Sequence, residues 1–112
     1  MVGACPKWPG GLADLTAMIT EHALLTIVPG KEEAFLAAFA EGRKILERQP
    51  GALRVDLLRG IESPSTFLLL IEWERLEDHM EGFRNSPDFG AWRGTVGPFF
   101  AEGAKVEHFR TA

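Results

Sequence analysis

A chain of 112 residues is long enough for one domain and leaves little room for a second. Its formal charge of −4, from 12 Lys and Arg against 16 Asp and Glu, comes with no basic block, which argues against nucleic acid and anionic membrane surfaces as partners. The single cysteine, Cys5, excludes an internal disulfide and a cysteine-rich metal site, so a reducing, cytoplasmic setting is the simplest expectation.

Residues 1–17 carry Pro6, Pro9, Gly10 and Gly11 and lack the apolar run of a signal peptide. They are expected to be a flexible N-terminal extension, with the domain over residues 18–112. The alternative is a short arm, with a turn of helix over Leu12–Thr16, that packs on a neighbour through Trp8. Ile19–Val28, rich in Ile, Leu, Val and Thr, predicts a first strand ended by Pro29-Gly30. Over Lys31–Gln49, residues Phe35, Ala38, Phe39, Gly42, Ile45 and Leu46 recur at helical spacing. An interior glycine costs about 1 kcal/mol relative to alanine, and close packing of Gly42 on the sheet is the expected compensation. Pro50-Gly51 stops this helix.

Ala52–Arg59 predicts a second strand, with Leu53, Val55 and Leu57 on one face. Thr66–Trp73 predicts a third. Phe67, Leu69, Ile71 and Trp73 share one face, and Leu68 and Leu70 share the other with Glu72, so both faces need cover. Leu76–Asn85 reads as a helix that buries Leu76, Met80 and Phe83, with His79 flanking the stripe. Ser86-Pro87 restarts a helix carrying Phe89, Trp92 and Val96. Gly94, Gly97 and Pro98 weaken and end it, Phe99-Phe100 lie in a loop, and Lys105–Arg110 is the last strand.

The order βαββαβ predicts an α+β, ferredoxin-like fold: a four-stranded antiparallel sheet with both helices on one face. The second face, carrying Leu68 and Leu70, calls for a second copy of the chain. A homodimer joined sheet to sheet is therefore expected, forming a dimeric α+β barrel.

Within 67–109, polar groups sit among aromatic rings, a pattern suited to a small aromatic ligand. Trp73 is either a pocket floor whose indole N–H orients a ligand oxygen or a core residue. His79 is either a general base near neutral pH or a helical histidine bonded to Asp78 or Glu81. His22 and His108 fall on neighbouring strands, with Glu21 and Glu107 beside them. They are candidates to meet across the ladder as a base paired with a carboxylate, as a structural cross-strand pair or as part of a dimer seam. The candidate catalytic residues are His79 and His108. The candidate substrate-binding residues are Trp73, Phe83, Trp92, Phe99, Phe100 and His22. No ligand spacing recommends a metal site, and no cofactor is expected.

Several short marks occur in order: Ile27-Val28-Pro29-Gly30, Gln49-Pro50-Gly51, Glu72-Trp73-Glu74, Phe83-Arg84-Asn85-Ser86-Pro87 and Val106-Glu107-His108-Phe109. With them, residues 18–111 resemble the antibiotic biosynthesis monooxygenase family of dimeric α+β barrels. The resemblance implies a homodimer with a pocket between sheet and helices. Some members oxidise phenols or quinols with dioxygen and neither metal nor flavin; others bind and degrade haem. Trp73 matches the haem-degrading relatives, but Phe83 stands where they place the iron-binding histidine, and the first strand lacks their asparagine. The polyketide-oxidising relatives use Tyr and Asn in the pocket, and this chain has no Tyr. The implied function is a cofactor-independent monooxygenase acting on a small aromatic or quinone-type compound. The alternatives, in order, are a non-catalytic dimeric ligand-binding protein and a haem-binding member.

Overall fold

The computed structural model describes residues 18–112, so the expectations for residues 1–17, including the Leu12–Thr16 turn and the Trp8 arm, fall outside the described residues. Along the chain run β1 (Ile19–Thr26), α1 (Glu32–Glu47), β2 (Ala52–Arg59) and β3 (Thr66–Trp73). A π-helical turn (Asp78–Phe83), α2 (Pro87–Val96), a 3-10 turn (Gly97–Phe99) and β4 (Lys105–Phe109) follow. The strands form one antiparallel sheet in the order β2-β3-β1-β4, with β2 and β4 as open edges. This is the ferredoxin-like α+β arrangement.

Period-two alternation sets the two sheet faces. The face toward the helices carries Glu21, Ala23 and Leu25 from β1 and Phe67, Leu69, Ile71 and Trp73 from β3, all buried. Onto it α1 lays Phe35, Phe39, Ile45 and Leu46. The Phe35 and Phe67 rings lie 4.9 Å apart between centroids. Each such large apolar side chain contributes roughly 1.5–3 kcal/mol when fully buried, so this face holds most of the stability. Ile27 extends β1 beyond Thr26 only by an isolated bridge to Phe100, which brings the loop before β4 over the sheet.

Gly42 does not serve helix-on-sheet packing. A Cβ there would lie 2.8 Å from Cζ3 of Trp92, so the missing side chain lets α2 press its tryptophan against α1. Asp88, at the start of α2, accepts from Arg48 at 2.9 and 2.7 Å and from Gln49 at 2.8 Å, which ties the two helices together. Gly51 has φ +85°, a left-handed position, and a Cβ there would run into the Asp78 carboxylate. Gly51→Ala therefore combines backbone strain with a clash. We expect it to destabilise the protein by about 2–3 kcal/mol, read as a thermal midpoint roughly 10 °C lower. An unchanged midpoint would refute this reading of the turn.

The segment after β3 departs from the expected helix. Only Leu76 and Glu77 are α-helical before the backbone widens into the π turn, marked by Arg84 N–H donating to the His79 carbonyl five residues back at 3.1 Å. Residues four apart then face the same way. His79 and Phe83 are buried, whereas Leu76 and Met80 are 41% and 37% exposed, contrary to the predicted stripe.

Candidate active site

The sheet register builds the site. Glu21 on β1 lies opposite Ile71 on β3 and opposite His108 on β4. Trp73 is two residues beyond Ile71 on the same face, a diagonal that a long side chain can span. Its indole Nε1–H donates to Glu21 Oε1 at 3.0 Å. His79, delivered by the π turn, stacks on Trp73 with centroids 5.2 Å apart and planes 14° from parallel. Phe83 stacks beyond both, at 6.2 Å from Trp73 and 6.3 Å from His79.

Both nitrogens of His79 face a polar group. Nε2 lies 3.5 Å from Glu21 Oε1, long for a hydrogen bond, and Nδ1 lies 2.8 Å from Nε2 of His108. Glu21, His79 and His108 thus form a line with the imidazole of His79 at its centre, leading from the buried carboxyl to a half-buried histidine on the edge strand. Among the described residues no buried side-chain polar atom lacks a partner, and no group of three or more His, Cys, Asp or Glu is arranged to hold a metal ion.

Beside this line, between the sheet and α2, is a cavity of about 270 Å³. Glu21 and His79 supply its ionisable wall. Leu25, Leu69, Ile71, Phe83, Phe89, Trp92 and Phe100 supply its apolar walls, and Arg84 and Arg93 also line it. Burial pushes the Glu21 carboxyl up to about 7, against the opposing pull of the Trp73 hydrogen bond and of the Arg84 charge. Burial, then the charges of His108 and Arg84, push His79 down to about 4. His108 is also lowered, by burial and then by Arg84. Near neutral pH the line therefore holds a carboxyl balanced between its two forms and two uncharged imidazoles. That combination can take up a proton at Glu21 without creating a buried cation.

Four of the eight residues singled out from the sequence line the cavity: His79, Phe83, Trp92 and Phe100. Trp73 is fully buried behind Glu21, and its N–H is committed to that carboxyl, so it does not present a donor to the cavity. Phe99 sits in the 3-10 turn, partly buried against the core, with its carbonyl accepting from Val28 N–H at 2.9 Å. His22 and His108 do not meet. Register pairs His22 with Glu107 and His108 with Glu21, on opposite faces of the sheet. His22 instead packs against Phe109, with centroids 4.3 Å apart and planes tilted by 44°, on the face turned from the helices. The expected bond from His79 to Asp78 or Glu81 is replaced by the contacts to His108 and Glu21, because the π turn rotates the imidazole inward.

Glu21 is what sequence reasoning treats only as a neighbour of His22. Its signal is the alternation itself. It is the one charged residue in the inward phase of β1, ahead of Ala23, Leu25 and Ile27.

The antibiotic biosynthesis monooxygenase family profile matches residues 18–95. The chain is 38% identical over 93 residues to the uncharacterised protein YczJ of Bacillus subtilis, covering 83% of this chain and 98% of YczJ. A solved structure of a candidate antibiotic biosynthesis monooxygenase from Bordetella bronchiseptica is 40% identical, with a TM-score of 0.82 over 86% of this chain and 98% of that one. The fold is also that of SnoaB, a cofactor-independent oxygenase from Streptomyces nogalater, at 19% identity and a TM-score of 0.74 over 86% and 94% of the two chains. An inward carboxyl, a stacked Trp–His pair and an aromatic cavity stand on the framework these proteins share, and the chain belongs to the antibiotic biosynthesis monooxygenase family.

Proposed function

We propose that this protein is a cofactor-independent monooxygenase for a small aromatic or quinone-type compound, with Glu21 as its base. The observation that carries the reading is the Glu21 carboxyl: almost wholly buried, held by Trp73, yet facing an aromatic-lined cavity. Family membership supports it, as does the description of SnoaB as a cofactor-independent oxygenase.

A phenol bound with its hydroxyl toward Glu21 gives up its proton to the carboxylate. The phenolate passes one electron to dioxygen, and the radical pair combines to form a C–O bond at a ring carbon that bears hydrogen. Transfer of that carbon's proton to the distal peroxide oxygen and cleavage of the O–O bond expel hydroxide and leave a carbonyl, and the hydroxide becomes water with the proton released at His108. One oxygen atom enters the product, the other leaves as water, and the substrate supplies all four electrons. Apolar walls exclude bulk water while the reactive anion exists. The proton on Glu21 leaves along the histidine line. It moves to His79 Nε2 as the Nδ1 proton of His79 moves to His108 Nε2, and His108 releases a proton outward. His79 changes tautomer and never needs to hold a lasting positive charge. Phe83, where the haem-degrading relatives place their iron-binding histidine, supplies no ligand, which weighs against a haem-binding role.

The test is oxygen uptake, with a chelator present, against a panel of hydroquinones and phenols. Uptake above the uncatalysed rate is the expected result. Binding of these compounds without uptake would instead make the protein a ligand-binding member of the family.

We further propose a homodimer through the outer sheet face. Leu24, Leu58 and Phe109 are 37%, 51% and 47% exposed there, beside the half-buried Leu68 and Leu70, an apolar surface that a single copy leaves wet. Sedimentation equilibrium at micromolar concentration should give the mass of two chains; the mass of one would rule the arrangement out.

A further inference from the structure

The charges at the cavity carry an inference beyond the aromatic character of the ligand. Most arginines of this protein have a carboxylate within reach: Arg43 with Glu47, Arg48 with Asp88, Arg54 with Asp56, Arg59 with Glu33 and Arg75 with Asp78. Among the described residues Arg84, Arg93 and Arg110 have no carboxylate within 4.0 Å, and the first two line the same cavity. They come from different elements, Arg84 from the end of the π turn and Arg93 from α2. They converge on one ring: each guanidinium carbon lies 5.9 Å from the centre of Phe89. The one other polar contact of Arg84 is weak, from Nη1 to the Met80 sulfur at 3.8 Å. Two exposed cations in a protein of net charge −4 thus each lie over the same aromatic ring at one cavity, and the nearest ionisable carboxyl named there, Glu21, feels Arg84 only at longer range. Guanidinium forks of this kind match a carboxylate, which each can grip through two parallel hydrogen bonds.

We propose that Arg84 and Arg93 form a carboxylate clamp, and that the compound taken by this cavity is an aromatic acid with its ionised carboxylate on the two arginines. The proposal rests on the reading of the cavity as an aromatic-ligand site and specifies that ligand's class. A cavity of about 270 Å³ is at the small end for ligand sites, which favours a single ring. Anchoring the carboxylate on the arginines fixes the ring within the cavity whose wall Glu21 also forms. The clamp is then a specificity device that also orients the substrate.

The test is a set of three probes, 3,4-dihydroxybenzoate, its methyl ester and uncharged catechol, titrated into the intact protein while the tryptophan fluorescence, to which Trp92 in the cavity wall contributes, is followed. The acid should bind about tenfold more tightly than the ester at low salt. Raising the salt should weaken the acid alone. In the double variant Arg84→Gln/Arg93→Gln acid and ester should bind with equal affinity. Circular dichroism of the variant checks that it folds, and the wild-type acid–ester comparison stands without it. Equal affinity for acid, ester and catechol overturns the clamp and leaves the aromatic cavity standing. A preference for the acid that survives in the folded double variant also overturns it. Failure of all three probes to bind, by fluorescence and by thermal shift, overturns both the clamp and the reading beneath it.

Discussion

Glu21→Gln is expected to lower kcat/KM for oxygen-dependent turnover by about 10²- to 10⁴-fold and to leave the fold intact, because it removes a general base and little else. Glutamine has nearly the same shape, and its amide oxygen can still accept from the Trp73 indole, which donates to Glu21 at 3.0 Å. What disappears is the ability to take a proton from the substrate and pass it toward His79. The variant should be at least as stable as the parent above neutral pH, where the parent must hold a buried carboxylate. Circular dichroism and a thermal melt check the fold, and steady-state oxygen uptake checks the rate. A variant within threefold of the parent would show that the proton goes elsewhere.

The second large effect is on stability against pH, where Glu21 and His79 oppose each other. Glu21 is raised from 4.5 to about 7. Between those values the folded protein keeps a proton that the unfolded chain releases, so this group's contribution falls as pH rises. His79 is lowered from 6.5 to about 4. Between those values the unfolded chain takes up a proton that the folded protein refuses, so its contribution rises with pH. Each is worth on the order of 3 kcal/mol across its window. The windows overlap from about pH 4.5 to 6.5, and there the two slopes nearly cancel. The lowered His108 adds a further rising component. Asp88, held at about 2 first by its hydrogen bond from Arg48, acts below this range.

Removing one member exposes the other. In His79→Phe, whose ring can keep the stack on Trp73, unfolding free energy should fall with rising pH through the window. In Glu21→Gln it should rise, with a slope of up to about 1.4 kcal/mol per pH unit. Urea melts at intervals from pH 4.5 to 6.5 measure this. Parallel profiles for the two variants would contradict the opposition, and with it the burial of this pair.

Much of the architecture is written in local periodicity, which is why it was readable. Phe67, Leu69, Ile71 and Trp73 alternate with Leu68, Leu70 and Glu72, and alternation of that kind leaves a strand little choice of faces. The Phe35–Leu46 stripe fixes α1 in the same way. Where the structure differs, the cause lies beyond one segment. The π turn follows from an i→i+5 hydrogen bond that sequence spacing does not display, and it puts His79 in the buried set in place of Leu76 and Met80 while keeping Phe83. The partner of His108 depends on strand register: a one-residue slip would exchange Glu21 for His22 on the inner face. Glu21 was visible as a charge in an apolar phase, but its tie to Trp73 is a diagonal between strands that are 52 residues apart in sequence. The arginine pair needed both the π turn and α2 in place before Arg84 and Arg93 could be seen on one ring.

The central claim is that Glu21 is a buried base that ionises near neutrality, and it can be observed at the atom concerned. Carbon-13 NMR of the side-chain carboxyls, with the Glu21 resonance assigned by its loss in Glu21→Gln, gives its titration directly. A midpoint near 7 is the predicted result. A midpoint near 4.5, the value of an ordinary exposed glutamate, would contradict the account.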